Sequence, residues 1–386
     1  MIRRHIQGLL RSRLAEYPAV ALVGPRQSGK TTLAQAFGGH YFDLEQEPER
    51  LRFDLEWEHL EKSRGLVILD EAQSWPEIFP RLRGVIDRDR RRMGRFLLLG
   101  SIAPSLMIRV SESLAGRLSL VELTPFLLGE LKTRPGPRKS LWLNGGFPDG
   151  GVLISRQYPQ WQRDYLALLT QRDLPNWGLS AAPQTTYRLL QMLAAMHGQI
   201  WNASQIGQSL GLSYHTVNNY LDYLVGAFLI RRLPPYRPNV QKRLTKSPRV
   251  YWRDSGLLHA LLNVPDEHAL LSQPWVGASW EGYIIEQVIG ALNSMGRHFD
   301  AFYFRTSDQY EIDLVLDLGG ERWAIEVKLT ASPRPGDMAR LDKTADMIRA
   351  SRRYLVSKTS RTTGGETRAS CNLGWLLERL RNQKGT

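Results

Sequence analysis

Cysteine is almost absent: Cys371 is the single one in 386 residues. That excludes a disulfide framework within the chain and any zinc site built on clustered thiolates, and a reducing, cytoplasmic setting is expected. Long apolar runs are missing as well. The strongest, Leu66–Leu69 and Phe96–Leu99, have strand length, far short of the roughly 18–20 residues of a membrane-spanning helix. The basic stretch Met1–Arg11 is broken by Gln7 and Gly8, and it reads as an amphipathic helix rather than a signal peptide. No internal repeat or low-complexity tract is visible. The histidines, His197, His215 and His259 among them, lack metal-ligand spacing, so structural or surface roles are expected of them. Acidic residues are in the minority: 38 Asp and Glu face 51 Lys and Arg, a net charge of +13. Such an excess suits an anionic partner, whether nucleotide, nucleic acid or acidic membrane surface, without choosing among them.

What is present is ordinary globular material, 42% hydrophobic and 23% charged, in a chain long enough for two or three domains. The apolar run Ala19–Val23 leads straight into Gly24-Pro25-Arg26-Gln27-Ser28-Gly29-Lys30-Thr31-Thr32. With a strand before and a helix after, this is the P-loop pattern: glycines let backbone N–H groups curl round phosphate oxygens, and the helix presents its positive end. Lys30 is expected on the β- and γ-phosphates of ATP and Thr31 on Mg²⁺. Downstream, Leu66–Leu69 ends in Asp70-Glu71, a Walker B match at the ligand-binding edge of a parallel sheet. Asp70 is expected to hold the metal ion through its water shell, and Glu71 to orient and deprotonate the attacking water. A third strand, Arg95–Leu99, ends in Gly100-Ser101, where Ser101 could sense the γ-phosphate or position the water. In Ser113-Leu114-Ala115-Gly116-Arg117, Arg117 is a candidate to neutralise phosphate charge, in cis or across a subunit boundary. A surface arginine capping a helix is the alternative.

Together GPRQSGKTTL, LVILDEAQ, LLLGS, SLAGR and TPFLLGEL resemble the prokaryotic AAA-superfamily ATPases that carry a C-terminal domain of long-unknown function. The resemblance spans about Tyr17 to Glu130. It implies an ASCE-type P-loop fold and ATP hydrolysis, and carries over onto Gly24, Gly29, Lys30, Thr31, Asp70, Glu71, Ser101 and Arg117.

The Pro-, Gly- and Lys/Arg-rich stretch Lys132–Lys139 marks an exposed boundary, and the helical stretch around Trp161–Leu169 reads as a connector or lid. Asn144-Gly145-Gly146-Phe147-Pro148 resembles a short family motif with no evident role. Three short helices follow: Tyr187–Leu193, Ser204–Leu210 ending at Gly211, and one capped by Ser213 that carries Val217, Tyr220, Leu221 and Leu224. This is helix-turn-helix logic. The strand Phe228–Leu233 and the segment carrying Arg237, Lys242, Arg243, Lys246 and Arg249 read as a basic wing. On DNA, Tyr214, His215, Asn218 and Asn219 would approach the major groove. The third helix lacks Lys and Arg, which favours non-specific contact over sequence readout, and a protein-packing role carries equal weight. The resemblance extends to the run from Tyr220 to Leu224 and from Phe228 to Tyr236.

Gln309–Leu318 and Glu321–Leu329 alternate polar with apolar residues around Gly319-Gly320, a hairpin signal. A two-glycine loop pairs residues whose numbers sum to 639, placing Asp313 opposite Glu326 and Lys328 opposite Glu311. Facing carboxylates repel unless a cation lies between them. Asp313, Glu326 and Lys328 match the Asp…Glu-x-Lys core of PD-(D/E)xK nucleases, whose acids hold a divalent metal. Glu281 or Glu286 is the candidate third acid. The family's C-terminal domain is similar to restriction-endonuclease folds, so the resemblance implies a nuclease-like fold without establishing cleavage.

The expected architecture is α/β: an AAA-type P-loop domain with a parallel sheet (1–135), a helical connector or lid (136–182), a winged helix-turn-helix (183–249) and a restriction-endonuclease-like domain (250–386). The expected function is a Mg²⁺-dependent ATPase coupled to the nuclease-like half and acting on DNA, with a second divalent metal possible at Asp313 and Glu326. The alternative is a nucleotide-gated DNA- or protein-binding switch without nuclease activity. Oligomers are compatible with either.

Overall fold

The computed structural model describes residues 2–101, 114–132, 134–237 and 247–383. Two compact units emerge, one of Met1–Phe126 with Gly226–Phe228, the other of Leu127–Val225 with Leu229–Thr386. Ser113 and the wing residues Lys242, Arg243 and Lys246 lie outside the described residues.

The first unit holds helix α1 (Gln7–Glu16), strand β1 (Ala19–Val23), α2 (Lys30–Gln35), β2 (His40–Asp43), α3 (Glu47–Lys62), β3 (Val67–Asp70), α4 (Ile78–Arg88), β4 (Phe96–Gly100) and β5 (Leu118–Glu122). Its five strands are parallel in the order β2-β3-β4-β1-β5. Both faces are covered, which is why β1 and β4 are apolar throughout. Alternate residues divide between two cores. Ala19, Ala21, Val23, Leu69 and Leu98 pack with Phe53, Leu60, Phe79 and Leu82 from α3 and α4, whereas Val20, Leu22, Ile68 and Leu99 pack with Leu10 and Leu33 from α1 and α2. The expected N-terminal helix begins only at Gln7 and buries just Leu10 fully. The residues before it instead carry Arg4 inward, to carbonyl oxygens near the P-loop.

The second unit begins with α5 (Pro135–Asn144) and α6 (Gln160–Leu168). The Asn144–Pro148 motif proves to be a packing joint: Gly146 donates its amide to Asp254 Oδ2 at 2.7 Å, and a side chain at Gly145 would collide with the same carboxylate. Three helices follow, α7 (Pro183–Ala195), α8 (Ala203–Leu210) and α9 (Tyr214–Gly226). Gly211 ends α8 at φ 66°, and Ser213 Oγ accepts the Thr216 amide at 3.1 Å, capping α9 as expected. Strands β6 (Ile230–Leu233) and β7 (Arg249–Trp252) pair antiparallel. Then come α10 (Ser255–Leu261), the long buried α11 (Val276–Ser294), and strands β8 (Asp300–Arg305), β9 (Glu311–Leu318) and β10 (Glu321–Val327). After α12 (Pro335–Met347), β11 (Arg352–Ser357), β12 (Thr363–Gly364) and β13 (Arg368–Asn372), α13 (Leu373–Asn382) closes the unit. Its six-stranded sheet runs β12-β13-β11-β10-β9-β8. The hairpin register is the expected one, from Glu321↔Leu318 to Ile325↔Leu314, across Gly319 and Gly320 at positive φ.

Candidate active site

The nucleotide-type site assembles where β1, β3 and β4 end. Because β4 lies between β1 and β3, Ser101 after its last residue stands between the P-loop lysine and the acid that follows β3. Lys30 Nζ donates to the carbonyls of Gly24 and Pro25, both at 3.0 Å, and to Ser101 Oγ at 3.2 Å. Ser101 Oγ in turn donates to Glu71 Oε1 at 2.8 Å, and Gln73 binds the other Glu71 oxygen. Burial pushes the Lys30 ammonium down to about 8, although the charges of Glu71 and Asp70 work in the opposite direction.

Backbone geometry explains the residue types. Gly24 has φ 154°, and a Cβ there would sit 2.1 Å from the Leu123 carbonyl oxygen. Gly29, at φ 94°, turns the loop into α2. Glu71 adopts φ 46°, an unfavourable conformation for a glutamate, and this places its carboxylate beside Ser101. Ser28 Oγ is buried without a hydrogen-bond partner among the described residues. An orphaned hydroxyl in a phosphate-type loop fits a ligand from outside the chain.

Thr31 Oγ1 donates to Asp70 Oδ2 at 2.6 Å, and the Tyr41 hydroxyl reaches the same oxygen at 2.7 Å. A hydroxyl and a carboxylate side by side are hard oxygen donors, the set a Mg²⁺ ion with its own waters takes. Thr32 follows in the first turn of α2, while Arg26 turns outward to Glu45 at 3.2 Å. Arg117 is held away from this cluster by a two-pronged pair with Asp87, at 2.8 and 2.9 Å.

Two contributors, Arg4 and Tyr41, carried no motif signal, and a third, Gln73, closed the LVILDEAQ run without being singled out. Arg4 is buried and donates to the carbonyls of Ser28 at 3.1 Å and Thr124 at 2.6 Å, tying the P-loop to the chain after β5. Tyr41 and Gln73 fix the two Walker B acids. Only the position of Gln73, two residues after Glu71, offered a clue.

In the second unit, Glu281, Glu311, Asp313, Glu326 and Lys328 line one cavity of about 340 Å³ with Arg340. The third acid is Glu281. Five residues along a helix rotate a side chain by about 140°, and Glu286 faces Arg231 and Arg253 instead, the latter at 3.2 Å. Asp313 Oδ2 accepts the Val327 amide at 2.8 Å, and Lys328 Nζ binds Glu326 Oε1 at 2.7 Å. Burial, reinforced by the Asp313 charge, pushes the carboxyls of Glu281 and Glu326 upward, and burial does the same to Asp313.

Arg249, expected on an exposed wing, is buried in this cluster, where it pairs with Glu281 at 3.1 Å and with Glu311. Among the described residues no group of three or more His, Cys, Asp or Glu side chains is arranged to hold a metal ion. The second divalent metal expected at Asp313 and Glu326 therefore has no support in this geometry: basic side chains already balance the acids. His197 and His259 are buried structural residues, and burial pushes both imidazoles down, to about 3 and about 4.

Comparison with known proteins agrees with the first site. Residues 16–132 match the family described as AAA domain. The first unit is thus an AAA-type P-loop ATPase domain, a class that binds and hydrolyses ATP. Residues 138–268 and 276–373 match two domains of unknown function, DUF8612 and DUF4143. Over 336 residues the chain is 38% identical to the uncharacterized proteins Rv2008c of Mycobacterium tuberculosis and Mb2031c of Mycobacterium bovis, covering 86% of this chain and 75% of each relative. The chain belongs to the family these two mycobacterial proteins represent. Among solved structures, the Walker-type ATPase PABY2304 of Pyrococcus abyssi aligns with TM-score 0.47 and 16% identity, over 68% of this chain and 96% of that one. No helix among the described residues is long and apolar enough to cross a membrane.

Proposed function

We propose that the protein is a Mg²⁺-dependent ATPase whose second unit contacts DNA as a nucleotide-gated binding element. The observation that carries the ATPase half is the continuous contact Lys30–Ser101–Glu71, with Thr31 and Asp70 adjacent. Lys30 leaves the two loop carbonyls for the β- and γ-phosphates, and the backbone N–H groups of Arg26–Thr32 surround them. Thr31 and Asp70 would hold Mg²⁺, which would neutralise charge developing on the phosphate oxygens. Glu71, oriented by Ser101 and Gln73, accepts the proton of the attacking water, and Ser101 relays the state of the Lys30 end to it.

For the second unit we read α7–α9 with β6–β7 as a winged helix and the six-stranded sheet as nuclease-like in plan. A cavity of about 990 Å³ is lined by Asn202, Gln205, Tyr214, Asn218, Arg232 and Arg305 among others, and among the described residues no acid lines it. That lining favours a phosphate backbone held with little sequence preference. Because Arg249 and Lys328 already pair with acids of the smaller cavity, binding without cleavage is the reading favoured. Phosphate release from Mg-ATP, with and without duplex DNA, tests both halves. Turnover should rise with DNA and disappear in Lys30→Ala and Glu71→Gln. Turnover that depends on both residues yet ignores DNA would replace DNA with a protein partner.

A further inference from the structure

The acids that line the smaller cavity of the second unit pair, on their buried side, with a cation supplied by the chain itself. Arg249 is 6% exposed. Its Nη1 lies 3.1 Å from Glu281 Oε1 and 3.8 Å from Asp313 Oδ1, and its Nη2 binds Glu311. Tyr251 donates its hydroxyl to the same Glu281 oxygen at 2.5 Å, and the Tyr303 ring lies 5.1 Å from the guanidinium carbon. The position is anchored by backbone on two sides, since Arg249 pairs with Leu233 in the β6–β7 ladder and bridges to Ile200.

A divalent cation needs carboxylate oxygens converging within about 2.0–2.6 Å of one point. Here the oxygens of three acids converge instead on a planar guanidinium, a broader and singly charged group. The fourth acid, Glu326, gives one oxygen to Lys328, while its Oε2 is buried without a hydrogen-bond partner among the described residues. Withdrawing Arg249 would leave Glu281 and Asp313 without an ion-pair partner among the described residues and Glu311 with Arg305, at 3.8 Å, so an incoming metal must meet that cost before it gains a ligand.

We propose that Arg249 is the resident counter-ion of the acid cavity and excludes divalent cations from it, making these acids an internal ion-pair network in place of a metal centre. The inference concerns the second unit alone and stands whether or not the first unit turns over ATP.

Mn²⁺ binding, read by loss of the free-ion paramagnetic resonance signal, tests it in full-length protein without nucleotide, with Asp70→Asn removing the P-loop metal contact. Adding Arg249→Gln should raise Mn²⁺ affinity by about tenfold or more, and Glu326→Gln should abolish that gain. Equal affinity with and without Arg249 would overturn the proposal, as would a folded Arg249→Gln protein that gains no site. Should Arg249→Gln fail to fold, Arg249→Met removes the charge while keeping a long apolar side chain against the Tyr303 ring and all four acids. Mn²⁺ affinity should then rise, and unchanged or weaker binding would count against the proposal.

Discussion

Two clusters in this protein place a lysine beside carboxylates, and they behave in opposite ways. At the P-loop, Lys30 is buried and bonded to two carbonyls and a hydroxyl, and Ser28 Oγ has no partner among the described residues. In the second unit, Lys328 is bonded directly to Glu326, and Arg249 joins Glu281 and Glu311. Burial depresses Lys30, whereas at Lys328 burial is outweighed by the carboxylates of Glu326, Asp313 and Asp337 together and the ammonium is pushed up. One cluster leaves a cation for a charge from outside the chain; the other balances its acids from within. Acid and lysine spacing alone therefore does not reveal ligand readiness; what the lysine is bonded to does.

The sharpest way to break this contrast is at Glu71. Glu71→Gln should cut ATP turnover by about 100- to 10,000-fold while nucleotide binding survives, as followed by phosphate release beside equilibrium titration. Unchanged turnover would remove Glu71 as the base.

A buried acid already satisfied by the chain should act on folding instead. Glu286→Gln, which strands the charges of Arg231 and Arg253, should cost about 3–5 kcal/mol in denaturant unfolding. Stability within error of the parent would mean that these charges can be rehydrated.

A smaller and more specific effect concerns pH. Lys30 loses its proton near 8 in the folded chain, against 10.5 unperturbed. The unfolded state thus holds more protons between those values, so this residue's penalty on folding is full below about 8 and fades as pH rises towards 10.5. Phosphates favour the charged form, so nucleotide affinity should fall above pH 8 by up to about tenfold per unit. Lys30→Arg, which keeps its charge, should flatten the profile, and a parallel decline in both proteins would assign the effect elsewhere.

The smallest change is expected at Arg117. Its partner Asp87 lies on an exposed helix end, and Arg117→Ala should leave turnover nearly unchanged if that pair is its working state. A large loss of turnover would show that Arg117 leaves Asp87 to meet phosphate.

Much of the first site was legible because its chemistry is local in sequence. The P-loop needs glycines at Gly24 and Gly29 for backbone reasons, and Asp70-Glu71 must follow a buried strand. Arg4 was not legible: it precedes the P-loop by about twenty residues, and no local pattern marks a side chain that will reach the Ser28 and Thr124 carbonyls. In the second unit the hairpin register followed from alternation and two glycines. The separation of Glu281 from Glu286 required the orientation of α11.

The sequence by itself determined the P-loop and its Walker B strand, the three short helices, the last of them capped by Ser213, and the Gly319-Gly320 hairpin, because each depends on steric or periodic rules acting over a few residues. Only the tertiary structure decided the fate of Arg249. Its neighbours in sequence read as a basic wing, yet folding carries it to Glu281 and Glu311, 32 and 62 residues away, since a buried charge must find its counter-charge wherever the fold places one.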